Sequence, residues 1–119
     1  MSTLFEPLQS VPDGLRAGPF LSVFVVHAVL DQEAYEQYQA ISDGQSLKPD
    51  HFGGEVIGFS KPVFTFLGPE QAHAIAIIRW PGFHSFEAWR TQDAYSRPGV
   101  AELHAKAERE SVYFLPCRD

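Results

Sequence analysis

The stretch from Ala74 to Tyr95, AIAIIRWPGFHSFEAWRTQDAY, decides how this chain folds. An apolar run leads into Arg79 and Trp80 and reads as a strand. Pro81-Gly82 ends its ladder, because proline has no N–H to donate and glycine frees the backbone. Beyond the break, Phe83, Phe86, Ala88 and Trp89 recur at helical spacing, with Gly82 or Ser85 as the cap and Glu87 near the amino end. The stretch is therefore a strand-to-helix joint, with the helix closing over Gln92 to Ser96.

Working back from the joint, Ala72 to Trp80 is one strand and Gly68-Pro69 is the turn before it. Glu55 to Phe59 and Val63 to Leu67 are extended on either side of Lys61-Pro62, and read as one bent strand. His51-Phe52-Gly53-Gly54 is the turn that opens it. A helix from Gln32 to Ser46 precedes that turn. Asp31 is its N-cap, Glu33 suits the dipole, Leu30 and Tyr35 occupy the staple positions, and Ala34, Tyr35, Tyr38 and Ile41 form the apolar stripe. Lys48-Pro49 forbids its continuation. Phe20 to Val29 is too continuously β-branched and aromatic for a strand with a wet face, which places it mid-sheet and covered on both sides.

Working forward, Arg97-Pro98-Gly99 resets the chain direction. Val100, Leu103 and Ala107 mark a short helix with Glu102 and Lys106 in the favourable i, i+4 order, and Ser111 to Leu115 is a last strand closed by Pro116. The order strand, helix, strand, strand, helix, strand is α+β and ferredoxin-like, with a four-stranded antiparallel sheet. Residues 1–18, broken by Pro7, Pro12 and Gly14, read as an amino-terminal arm whose apolar residues lie on the domain or on a neighbouring subunit; residues 19–119 form the domain.

Composition narrows the partners. A chain of 119 residues, 45% hydrophobic, closes one core, and covering its spare sheet face with a second copy is a common way to gain stability. The net charge is −6 and the basic residues are scattered, so neither nucleic acid nor an anionic membrane is an expected partner. The apolar run from Pro19 to Leu30 falls short of the ~20 residues of a spanning helix. No secretory signal is recognisable, and Cys117 is the sole cysteine, so the expected location is the cytoplasm.

Glu33-Ala34-Tyr35 with Tyr38 after the central strand, the Gly53-Gly54 opening, and Trp80-Pro81 through Ala88-Trp89 to Tyr95 together resemble the domain-of-unknown-function family numbered 1330, within the dimeric α+β barrel superfamily. The resemblance spans Pro19 to Pro116. Glu55 stands directly after the glycine pair, where members of that family often carry a basic residue. The resemblance implies a homodimer whose two sheets pack face to face into a barrel, with each sheet's other face under its own helices. Relatives in the superfamily include cofactor-independent monooxygenases of polycyclic phenols, polyketide cyclases, lactone isomerases, haem enzymes and ligand-binding regulators, so the fold does not select a reaction.

Side-chain chemistry supplies the candidates. Alternation puts His27 on one face with Val23 and Val25, and His73 and Arg79 on one face with Ile75 and Ile77. His27 is the candidate base, Arg79 the holder of an oxyanion, and Tyr113 a donor from the last strand, against structural readings as a satisfied core or edge histidine, a salt-bridged arginine and a buried tyrosine. Ala74 and Ala76 either let a helix approach closely or leave a cavity, which Tyr35, Tyr38, Phe86 and Trp89 would line. Such a pocket suits a small apolar or aromatic ligand. His51, His84 and His104 have no metal spacing, so no metal and no cofactor are expected. The expected function is small-molecule binding by a homodimer, with cofactor-independent monooxygenase, isomerase or cyclase chemistry on a phenolic or carbonyl compound, the alternative being a non-catalytic assembly or ligand-sensing module.

Overall fold

Period-two alternation governs β1 (Phe20–Val29): Phe20, Ser22, Phe24 and Val26 are buried, while Leu21, Val23 and Val25 between them stay half-exposed. A computed structural model describes residues 13–16, 18–42, 48–69, 71–92 and 97–117. Three more strands complete the sheet: β2 (Glu55–Ser60), β3 (Ala74–Trp80) and β4 (Glu108–Pro116), in the order β2-β3-β1-β4 with every neighbour antiparallel. The helices are α1 (Asp13–Arg16), α2 (Gln32–Ser42), α3 (Phe83–Arg90) and α4 (Val100–Ala107). The connection β1-α2-β2-β3-α3-α4-β4 and the strand order make this a ferredoxin-like α+β fold.

The register assigns the paired side chains to faces, with irregularities between Val26 and Ala28 on β1 and between Val56 and Gly58 on β2. Phe20 pairs with Trp80, Ser22 with Ile78, Phe24 with Ala76 and Val26 with Ala74, so these eight share the helix-covered face. The core sits there, as a cluster of rings from Phe20, Phe24, Trp80, Phe83, Phe86 and Trp89. Trp80 is wholly buried and its indole N–H donates to Ser22 Oγ at 2.9 Å, which explains why a serine interrupts the apolar run of β1. The opposite face carries Leu21, Val23 and Val25 of β1, Ile75, Ile77 and Arg79 of β3, and Tyr113 and Leu115 of β4. β1 is central, as its composition predicts, but within one chain only its helix-side face is covered.

The strand-to-helix joint forms as read, with Gly82 as N-cap and α3 beginning at Phe83. At α2, Asp31 Oδ1 accepts the Ala34 N–H at 2.8 Å, which is the anticipated cap. The extension of β2 through Val63 to Leu67 does not occur: β2 stops at Ser60, paired with Ile75. β3 begins one residue further on, so no partner strand remains, and Pro62 has no donor to offer. The last strand begins at Glu108 rather than Ser111. Of the arm, Leu15 on α1 is buried in the core; residues 1–12, the expected end of the second helix at 43–47 and the close of the third at 93–96 lie outside the described residues. Among the described residues no helix is long and apolar enough to cross a membrane.

Candidate functional site

Two alanines create the space. On β3, Ala74 and Ala76 stop at Cβ, and with Phe24, Val26 and Ile78 they floor a cavity of about 360 Å³ beneath the helices. That volume lies within the range of small-molecule pockets. The Asp31 cap fixes the start of α2, and Tyr35 and Tyr38, one turn apart, stand over the floor from that helix. Trp89 and Arg90 enter from α3, and Val56 and Phe59 from β2. The Arg90 guanidinium is itself buried, lying 5.1 Å from the Trp89 ring centroid and 5.6 Å from that of Phe24.

The polar groups lie at the margins of this apolar space. Lys61, immediately after β2, donates from Nζ to the Tyr35 hydroxyl at 3.3 Å. From β4, Glu108 and Glu110 also line the cavity. His104, in the last turn of α4, brings Nε2 to 2.9 Å from Glu110 Oε1 and to 3.4 Å from Glu108 Oε1. Burial by itself would lower the His104 pKa, but the hydrogen bonds and negative charges of Glu108 and Glu110 outweigh it and raise the value from 6.5 to about 9. His104 is therefore an imidazolium at neutral pH. Glu108 is only 4% exposed, and its Oε2 is buried with no hydrogen-bond partner. A buried acceptor of this kind is stabilised by any donor brought to it.

The residues singled out from sequence fall into two groups. Tyr35, Tyr38, Ala74, Ala76 and Trp89 line the cavity together. Phe86 lies behind them, its ring centroid 5.9 Å from that of Trp89, and belongs to the core. His27, Arg79 and Tyr113 are not the polar members of this cavity. The register turns Arg79 and Tyr113 to the opposite face of the sheet; His27 sits at the β1 irregularity between Val26 and Ala28 and reaches Ser111, the partner of Val25 on that face, while Arg79 and His27 lie on antiparallel strands at opposite ends of the sheet. Arg79 pairs with Leu21, six positions along β1 from His27, or about 20 Å at ~3.3 Å per residue, so the two do not meet at one reacting centre in a subunit. His27 Nε2 is hydrogen-bonded to Ser111 Oγ at 2.9 Å. His73, which alternation would place beside Arg79, precedes β3 and sets its ring edge-on to Tyr35, with centroids 5.7 Å apart.

Lys61, Glu108, Glu110 and the site role of His104 were missed by sequence reasoning. A signal existed for one pair: His104 and Glu108 are four residues apart, the spacing of neighbours on a helix. It was hidden because Glu108 is the first residue of β4 rather than part of the helix.

No family model matches the chain, and no curated protein is significantly similar to it. Among solved structures it is similar to a protein of unknown function from Rhodopseudomonas palustris, at TM-score 0.64 and 18% identity over 87% of this chain and 85% of that one. The methylated form of that protein gives TM-score 0.66 and 18% identity over 100% and 98%. A looser similarity, TM-score 0.47 and 13% identity over 86% and 93%, connects it to SnoaB, a cofactor-independent oxygenase from Streptomyces nogalater. At these identities the likeness concerns the fold.

Proposed function

We propose that this chain binds a small, flat, largely apolar molecule bearing a hydroxyl or amino donor, in the cavity between helices and sheet, and that it does so as a homodimer. The observation that carries the reading is the cavity: an aromatic and alanine-floored space of about 360 Å³ whose wall holds a buried carboxylate oxygen without a partner. Aromatic walls select a planar body, and Glu108 Oε2 selects a donor at its edge. Lys61 and Tyr35 supply a second polar contact at the β2 side.

The half-exposed apolar face of Leu21, Val23, Val25, Ile75 and Ile77 supports the dimer, since a second sheet would cover it. Within that reading His27, Arg79 and Tyr113 belong to the subunit contact, where a copy related by symmetry brings its own set. Kinship with the family numbered 1330 is part of the same proposal. So is turnover: Glu108 and Glu110 line the cavity and His104 is held against both, an acid–base group that suits isomerase, cyclase or monooxygenase chemistry on a phenolic or carbonyl compound. Without turnover, the same cavity serves a ligand-sensing module.

Equilibrium dialysis against 2-naphthol tests the binding. We expect saturable uptake of one molecule per chain, abolished by Ala76→Phe, whose ring fills the floor, and retained by His51→Ala at the exposed surface. Uptake by Ala76→Phe equal to that of the parent, or no saturable uptake by the parent, overturns the reading.

A further inference from the structure

We propose that His104, Glu108 and Glu110 form a binding site for a divalent first-row transition ion at the β4 end of the cavity. These three are the residues of one cluster in which imidazole Nε2 and two carboxylates each offer a ligand atom, all within 4.8 Å of one another. Metal–ligand bonds of ~2.0–2.2 Å place donors in one coordination sphere about 3–3.5 Å apart. The Nε2–Oε1 separations of 2.9 Å to Glu110 and 3.4 Å to Glu108 are close to that spacing, and the widest separation in the cluster, 4.8 Å, has to close for both carboxylates to hold one ion.

The independent observation is Glu108 Oε2. The Glu108 side chain is 1% exposed, and this oxygen is buried without a partner. Leaving a carboxylate oxygen so placed is costly, because a charged group out of water needs a counter-charge or donors on its lone pairs. A carboxylate can hold one ion through both of its oxygens, so an ion bound bidentately by Glu108 engages Oε2 as well as Oε1. An ion at this point would satisfy it, taking the place of the proton that His104 Nε2 shares with the two carboxylates and releasing that proton to solvent. One nitrogen and two carboxylate donors suit Zn²⁺ and Mn²⁺, with Zn²⁺ the tighter by the usual order of stability.

Three protein donors also leave coordination positions open, and two of the three, Glu108 and Glu110, belong to the cavity wall. The ion would then be a Lewis acid for a ligand oxygen, which replaces the cofactor-independent part of the functional reading above and leaves the cavity itself unchanged. Naphthol uptake and metal uptake are read separately, so one can fail without the other.

The test is calorimetric titration of untagged protein, dialysed against chelator and then buffer, with Zn²⁺ and separately with Mn²⁺. We expect one Zn²⁺ per chain, with Mn²⁺ weaker at the same site. Glu108→Gln and Glu110→Gln should each weaken binding at least about tenfold, the lower end of what losing even an outer-shell partner costs. A variant lacking the exposed candidates, His51→Ala with His84→Ala and Cys117→Ser, should bind as the parent does. Circular dichroism establishes that each variant is folded. Co²⁺ on the unaltered protein gives a second readout, expected as visible bands of nitrogen and oxygen ligation without thiolate charge transfer. No bound ion, binding lost only in the surface variant, or a thiolate signature overturns the proposal and leaves the cluster as an imidazolium–carboxylate ion group.

Discussion

At the scale of single residues, charge and its compensation decide most. His104 has a pKa near 9 in the folded chain against 6.5 in an unfolded one, because two carboxylates hold the charged ring despite its burial. The raised value means that folding favours the proton. In the metal-free protein this contribution is complete below about pH 6.5 and is lost as pH climbs from there toward 9. The groups facing the ring are Glu108, Glu110 and the Tyr38 ring, whose centroid is 4.8 Å away. With chelator present, unfolding free energies from urea titrations across that window should fall for the parent by an amount on the order of 2–3 kcal/mol, and His104→Gln should flatten the profile. A parent profile as flat as the variant's would remove the ion group from the account of stability. Ser22 works by the same logic without charge: its hydroxyl exists in the core to receive the Trp80 indole N–H.

At the scale of elements, the packing of β2 against β3 depends on a missing side chain. Gly53 ends a 3-10 turn, Pro49–Phe52, with φ at +90°, where a Cβ is strained, and Gly54 follows with a different need. A Cβ at Gly54 would lie 2.8 Å from Trp80 Cζ3 and 3.1 Å from Pro49 Cβ. Trp80 is fixed by its hydrogen bond and by rings on both sides, with Phe86 and Trp89 centroids at 5.5 and 5.3 Å, so it has nowhere to retreat. Gly54→Ala should therefore cost about 1–3 kcal/mol, the usual range for overpacking, measured as a lowered denaturation midpoint. An unchanged midpoint would mean that β2 can shift away from Trp80 at no cost. The glycine pair is thus legible in sequence as a turn, while the contact that requires its second member joins elements 26 residues apart, since 80 − 54 = 26.

At the scale of the whole molecule, the question is what covers the outer face of the sheet. Val23, Val25, Ile75 and Ile77 lie there side by side, and Phe64, Phe66 and Leu67 between β2 and β3 are almost fully exposed. So much accessible apolar surface on a chain of 119 residues suits association with a second copy. Sedimentation equilibrium should return about twice the chain mass of 13.3 kDa at micromolar concentration. Val23→Asp should return the monomer with an unchanged circular dichroism spectrum, because its side chain points away from the core. A parent that sediments as a monomer would sink the barrel model and return His27, Arg79 and Tyr113 to ordinary surface positions.

Local sequence determined the elements. The Pro81-Gly82 break, the Asp31 cap and the period-two run of β1 each act within a few residues, and from them the strand and helix order and the ferredoxin-like topology follow. The aromatic wall of the cavity was also legible, because Tyr35 and Tyr38 lie one helical turn apart and Ala74 and Ala76 are conspicuously small. Face assignment was not. Alternation along β3 alone sets Arg79 opposite those alanines, but which residues of β1 share their face depends on the register between β1 and β3, and that register is settled by how Phe20 and Trp80 fill the same core, 60 residues apart, since 80 − 20 = 60. The polar end of the cavity was equally out of reach. His104, Glu108 and Glu110 come together only where α4 turns directly into β4, and the chemistry there belongs to that junction rather than to any motif in the sequence.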